Sequence, residues 1–350
     1  MKSSRNYIID VFRGVAVLLV TAFHVFLWSS SPGHSFFNKW DLFGPMGNGW
    51  VGVGLFFIIS GYCMGMSTRR TFSSGLNTNE YKIYFTKRFL RIAIPYYISI
   101  LFWCYMINVH GVAVKPTGLT DILTHMFFVH NLSDSTMFSI SGVYWSLAVE
   151  MQFYIVLPIV VALIKTRKEM LYFLIACLFL TVLINTTSVN RVLTWSLLSY
   201  LYLFILGWVL FYFNPNQAIH KYLKKFSIIM FTIFMALLFY KGEGFNNNIK
   251  IYETLTSTVA ALFMWACINI GQGIDDESNV IIKGMSFIGR CSFSIYLYNY
   301  IFWIFPRDDV GAFKSFLVFA FVIFFGIGMY FIFERPSERM RNGLFKKIYQ

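Results

Sequence analysis

The sequence predicts an all-α integral membrane protein of about ten transmembrane helices with both termini in the cytoplasm, and three observations carry that expectation. Hydrophobic residues make up 57% of the 350-residue chain and charged residues only 13%, far more apolar than an ordinary soluble domain. Runs such as FFIIS at 56–60 and FAFVIFFGIGMYFIF at 319–333 do not alternate polar and apolar residues, as a membrane β-barrel would. Finally, the charges lie in short segments between apolar stretches, and they are unevenly shared between alternate segments.

A bilayer core is crossed by about 20 helical residues. On that length the spans fall near 8–28, 50–67, 88–109, 144–164, 169–185, 195–213, 226–240, 252–271, 286–305 and 313–333. With the N-terminus set inside, 22 of the 29 basic residues occupy inner segments and helix ends. The outer side keeps Lys39, Lys115, Arg191, Lys241, Lys250, Arg307 and Lys314. This is the asymmetry of the positive-inside tendency. The net charge of +13 is therefore a mark of topology, and no nucleic-acid partner is expected.

The first span contains a short apolar run, VAVLLVTAF, of the kind found in signal peptides. Its interior His24 and the lack of a small-residue cleavage site argue for a retained helix. The second span carries GVGLFFIISGY at 52–62. Between the third and fourth spans, DILTHMFFVHNL is weakly amphipathic and reads as an outer or re-entrant helix, a geometry tolerated only where protein or water covers the backbone. Within it His125 and His130 are five apart and do not share a helical face, so they read as interfacial histidines without a role. The tail after 334 is short, basic and amphipathic, and one membrane domain over 1–350 with no soluble C-terminal domain is expected. The five cysteines show no spacing suited to zinc or to a disulfide framework, so no metal is expected and they read as packing residues.

Ionisable side chains within spans are costly, and each is a functional candidate. Arg13 and His24 are eleven residues apart, almost three helical turns, which places them on one face about 16 Å apart along the axis. Arg13 at the inner boundary suits an anion, although a snorkelling arginine would need no function. His24 lies near mid-depth, where a buried imidazole tends to stay neutral and can serve as a general base; bonding across helices is its other reading. In the third span Arg88 and Arg91 are three apart and neighbours on the helix. Their guanidinium forks match phosphate oxygens, while simple positive-inside placement is the alternative. In the fourth span Glu150 needs a partner: it could orient His24, accept a hydrogen bond from a sugar hydroxyl or neutralise an arginine. Trp145 and Ser146, at the start of that span, are the candidate contacts for a second substrate, with an interfacial aromatic as the plainer reading of Trp145.

In combination these motifs resemble the acyltransferase family 3 membrane proteins. The resemblance rests on the Arg13 to His24 spacing within DVFRGVAVLLVTAFH, GVGLFFIISGY, Arg88 and Arg91, YWSLAVEMQFY at 144–154, SFSIYLYNYIFW at 292–303 and IFERP at 332–336. It implies a bacterial inner-membrane enzyme that takes acetyl-coenzyme A from the cytoplasm and acylates a hydroxyl of a surface polysaccharide or lipid-linked glycan such as O-antigen. On that pattern His24 is the catalytic histidine, with Glu150 beside it, and Arg13, Arg88 and Arg91 serve the coenzyme. Many members have histidine where this chain has Asn299. Some carry a soluble C-terminal esterase-like domain; without one, either transfer ends on the membrane domain itself or a separate glycan-assembly protein completes it. A glycan or small-molecule transporter is the rival reading, since transporters also place polar residues at mid-depth; a structural subunit of a glycan-assembly complex is a third.

Overall fold

The computed structural model describes residues 6–29, 44–71, 77–112, 116–213, 215, 217–240, 247–271, 279–306 and 311–349. Lys2, Arg5, Lys39, Lys115, Lys241 and Arg307, used in the charge asymmetry, lie outside the described residues, as do the side chains of Arg70, Lys346 and Lys347. Ten long helices are formed: α1 (Tyr7–Ser29), α2 (Val51–Thr71), α3 (Thr78–His110), α4 (Trp145–Leu163), α5 (Arg167–Thr187), α6 (Leu197–Tyr212), α7 (Leu223–Phe239), α8 (Asn247–Ile270), α9 (Val280–Leu297) and α10 (Ala312–Met329). A terminal helix, α11 (Arg335–Tyr349), follows a π-helical turn at Tyr330–Glu334. No β-strand is formed among the described residues.

Nine helices among the described residues are long and apolar enough to cross a membrane. The exception is α7, whose 17 residues span about 26 Å, slightly less than the ~30 Å hydrocarbon core; α6 by itself is shorter still and qualifies only as Arg191–Tyr212, 22 residues that take in the helical turn before it. The largest boundary difference from the sequence reading is at α3, which begins at Thr78 rather than 88. The cause is local: the Asn77 side chain accepts from the Asn79 amide and caps the helix in what reads as loop sequence. Pro95 and Pro158 lie inside α3 and α4; each removes one ladder hydrogen bond without ending its helix.

In hydrocarbon, helix association depends on close backbone approach and interhelical hydrogen bonds. The two tightest pairs, α1 with α9 and α2 with α6, are built this way. A Cβ at Gly289 on α9 would collide with the Asp10 carbonyl of α1, and one at Gly207 on α6 with the Ile58 carbonyl of α2. Both glycines therefore set the interaxial distance. Gly52 on α2 faces Ala16 on α1, while Cys63 further along α2 meets Arg13. The two helices thus run antiparallel, and Ser60 lies level with Arg13 rather than with His24.

The segment between α3 and α4 is re-entrant. A helix at Leu119–Met126 is followed by Phe128, whose positive φ of 56° turns the chain back into a 3-10 turn at His130–Leu132. Phe128 stacks on Tyr96 with ring centroids 5.0 Å apart, and Gln152 on α4 donates to Asn131 Oδ1 at 2.8 Å. Both contacts lie well inside the helices that flank the segment. This corrects the reading of His125 and His130 as interfacial. Both are fully buried, and their rings stack 3.8 Å apart. Helical spacing could not show this, because the two rings meet across the turn and not along one helix.

Candidate active site

One cavity joins most of the residues singled out above. It lies between α1, α2, α3, α4, α9, the π-helical turn and α11, and holds about 1190 Å³ of empty space, its open mouth included. Arg13 and Arg341 both line it, so the first half of α1 and the terminal helix share one end of the bundle. Arg91 and Arg290 join them at the wall. Glu334 and Glu338 line the wall with these arginines, and the remaining lining includes the polar Ser60, Ser146, Glu150, Tyr154 and Tyr296 among apolar side chains such as Phe56, Phe57 and Leu147.

The arginine rim is built from separate helices. Arg13 Nη1 lies 3.7 Å from Asp10 Oδ1, one turn earlier on α1, and its Nη2 donates to Cys63 Sγ at 3.8 Å. Arg91 is exposed into the cavity. Arg88 is half-buried behind it, its Nε buried without a hydrogen-bond partner. Of the three arginines expected to act together, the structure brings Arg13 and Arg91 to the lining and holds Arg88 off it. Arg290 and Arg341 were not singled out in the sequence, where each reads as one more basic residue near a span end.

Deeper in, Glu150 is the centre of a hydrogen-bonded group. Its Oε1 accepts from Ser60 Oγ at 2.5 Å and from Tyr154 OH at 2.5 Å. Tyr154 is one turn beyond Glu150 on the same helix, a spacing visible in the sequence; Ser60 arrives from α2 inside the GVGLFFIISGY run. Ser146 Oγ shares a hydrogen bond of 2.6 Å with Tyr296 OH, and both hydroxyls also reach the Val143 carbonyl. Trp145 does not line this cavity. It is buried against Trp195, Tyr200 and Phe57, with ring centroids 4.5, 5.1 and 6.1 Å away. Glu334, in the π-helical turn, accepts from the Ser294 amide and hydroxyl at 3.1 and 2.5 Å. A π-turn widens the helix at this wall, a form frequent at functional sites.

His24 stands apart from this group. It is partly exposed, lies outside the cavity lining, and is about 16 Å beyond Arg13 along α1. Its Nδ1 is 2.8 Å from the Val20 carbonyl. A carbonyl only accepts, so Nδ1 carries the proton and Nε2 is left with a free lone pair. The ring packs edge-on to Phe23 and against Tyr300, at centroid distances of 5.1 and 5.2 Å. Glu150 bonds Ser60 and Tyr154 rather than the His24 imidazole, so the orienting role considered for it has no counterpart in this geometry. Asn299, fully buried, donates from Nδ2 to Thr21 Oγ1 at 2.8 Å. It ties the segment after α9 to the helix turn that precedes His24.

Residues 6–335 match the acyltransferase 3 model, described as an acyltransferase domain. The chain belongs to this family. Among curated proteins, the O-acetyltransferase OatA of Staphylococcus aureus is 24% identical over 290 residues, covering 73% of this chain and 46% of OatA. The O-acetyl transferase of Shigella phage Sf6 is 24% identical over 333 residues, or 90% of this chain and 91% of the phage protein. The peptidoglycan O-acetyltransferase OatA of Listeria monocytogenes is 28% identical over 174 residues, 44% of this chain and 24% of that protein. This acyltransferase 3 chain thus spans about half the length of the staphylococcal relative and nearly all of the phage one. No solved structure matches it.

Proposed function

We propose that this acyltransferase 3 protein is an acyl-coenzyme A-dependent O-acyltransferase of a bacterial cytoplasmic membrane, moving an acetyl group onto a hydroxyl of a surface polysaccharide or lipid-linked glycan. The observation that carries the reading is one cavity lined both by arginines and by a hydrogen-bonded group around Glu150. Coenzyme A has chemistry to match: charged phosphates at one end, then an arm of alternating amide and apolar groups, then the thioester. Guanidinium groups suit the phosphates. Glu150, Ser60 and Tyr154 lie at the depth of the arm, where a carboxylate can accept from an amide N–H. Both OatA relatives and the phage protein are named as O-acetyltransferases, which favours acetyl as the group and oxygen as its destination.

In this reading the nucleotide end stays at Arg13 and Arg91, with Arg88 behind them, and the thioester extends toward His24. The acceptor approaches from the opposite end of the bundle, on the side of Trp145 and Ser146. His24 Nε2 takes the proton of the acceptor hydroxyl as its oxygen attacks the thioester carbonyl carbon. Collapse of the tetrahedral intermediate breaks the C–S bond, and the imidazolium returns the proton to sulfur, so coenzyme A leaves as the thiol. Bringing donor and acceptor together supplies orientation, which is a large share of such a rate enhancement.

The test is thiol release from acetyl-coenzyme A by the purified protein with its native glycan. His24→Ala is expected to lower turnover at least about a hundredfold, the usual weight of a general base. Undiminished turnover sinks His24 as the base. A transporter has no need of coenzyme A, so binding of coenzyme A lost in Arg91→Ala separates that rival from the enzyme.

A further inference from the structure

The family match ends at residue 335, yet the cavity wall does not. Ser337, Glu338 and Arg341, all on α11, line the same space as Arg13 and Arg91. We propose that α11 completes the donor site, and that Arg341 is the contact for the 3′-phosphate of the coenzyme A nucleotide. The proposal rests on the acyl-coenzyme A reading above and adds to it a residue and a helix outside the family-matched region.

Three observations point this way. Arg341 is enclosed, its side chain only 15% exposed, and its ion pair to Glu338 Oε1 on the preceding turn of α11 is long at 3.9 Å. It shares the cavity lining with Arg13, Arg91 and Arg290. Asp10, Glu334 and Glu338 offset part of this positive charge, and a phosphate anion adds to what they supply. The place of α11 then assigns which anion. An acyl donor enters thioester first, so the group that stays at the rim is the nucleotide end, and α11 forms the rim. The arginines fall into two sets to match: Arg13, Arg91 and Arg290 on spanning helices for the diphosphate, and Arg341 on the terminal helix for the separate phosphate on the ribose. Glu338 holds Arg341 along the helix while the site is open, and a phosphate dianion offers the same guanidinium two oxygens.

The helix itself supplies the control. Arg339 has the same charge and lies two residues from Arg341, about 200° around the helix. It is exposed and does not line the cavity. If α11 acted only as a basic helix on an anionic membrane surface, both arginines would count equally.

The experiment measures binding of coenzyme A and of dephospho-coenzyme A to the full-length purified protein by calorimetry, with melting temperature as a check on folding. The variants are Arg341→Gln, which keeps most of the side-chain stem, Arg339→Gln and Arg91→Ala. Arg341→Gln is expected to weaken coenzyme A about tenfold or more, the weight of one charge-assisted contact, and to leave dephospho-coenzyme A within about twofold. Arg339→Gln is expected to bind both as wild type does. Equal losses for the two ligands in Arg341→Gln, or equal losses in Arg341→Gln and Arg339→Gln, overturn the assignment. If wild type binds coenzyme A and only Arg91→Ala loses it, this inference fails and the acyl-coenzyme A reading stands. If wild type binds neither ligand, that reading fails with it.

Discussion

The two ends of the helix bundle treat positive charge in opposite ways. At the cavity mouth, Arg91 is exposed into open space and Arg13, Arg290 and Arg341 line the same wall. At the other end Lys250 is wrapped. Its ammonium lies 3.5 Å from Glu253 Oε2 and 3.8 Å from the centroid of the Trp195 ring, and it donates to Tyr200 OH. A cation enclosed by carboxylate, phenol and indole has its electrostatic needs met inside the fold. The needs of the cavity arginines are met only in part: Arg13 lies 3.7 Å from Asp10 and Arg341 3.9 Å from Glu338, while Arg91 is exposed. The first arrangement is that of an internal cation, and the second leaves guanidinium groups able to take an anion.

The sharpest way to break this comparison is to remove one charge at each end and follow activity and stability separately. Arg91→Ala should lower acetyl-coenzyme A turnover by about a hundredfold or more at sub-saturating donor, consistent with losing a bidentate phosphate contact worth about 3 kcal/mol. The melting temperature should change little, because Arg91 faces open space. Glu150→Gln tests the depth beyond it. The amide keeps the shape but places an N–H₂ or a neutral oxygen opposite Ser60 Oγ and Tyr154 OH, and turnover should fall about tenfold. A large drop in melting temperature with unchanged turnover of the surviving protein, in either variant, would show that the cavity charges serve the fold instead.

At the wrapped end the order reverses. Lys250→Met strands the buried Glu253 carboxylate, and breaking a buried pair from one side costs about 3–5 kcal/mol. The melting temperature in detergent should fall clearly, while donor binding per folded molecule is retained. Lys250→Met combined with Glu253→Leu should recover much of that loss, because no lone charge is left. A double variant no more stable than the single one contradicts the pairing. Loss of coenzyme A binding in the folded single variant would contradict the separation of the two ends.

The fold was largely legible in the sequence, because burial in hydrocarbon imposes long apolar segments that any reading can measure. The site was legible only where its members share a helix. Arg13 and His24 on α1, and Arg88 with Arg91 on α3, are fixed by helical spacing. That spacing also gives the ~16 Å that separates Arg13 from His24. Contacts between helices carry no such signal. Ser60 reaches Glu150 only because α2 and α4 meet; Arg290 and Arg341 reach the rim because α9 and α11 do; His125 finds His130 across a turn at Phe128. Lys250 and Arg91 illustrate the same limit. In the sequence each is a basic residue at or near a span end, and only the neighbours contributed by other helices make one an internal cation and the other an exposed one.

Arg191 supplies an intermediate case and the smallest expected effect. It lies at the Lys250 end, with its guanidinium 4.7 Å from the centroid of the Phe138 ring, and Phe138 in turn meets Trp195 edge-on at 5.1 Å. It therefore has a partner, as Lys250 has, yet it is exposed, as Arg91 is. If pairing alone marked a structural charge, Arg191→Ala should destabilise about as much as Lys250→Met. If desolvation sets the magnitude, an exposed cation over an aromatic face is worth only about 0.5–1 kcal/mol. The second outcome is expected: a small fall in melting temperature, with Arg191→Lys recovering part of it. A fall matching that of Lys250→Met would mean that the Phe138–Trp195 contact supports the whole aromatic cluster beneath it, and that burial of the charge is not what divides the two residues.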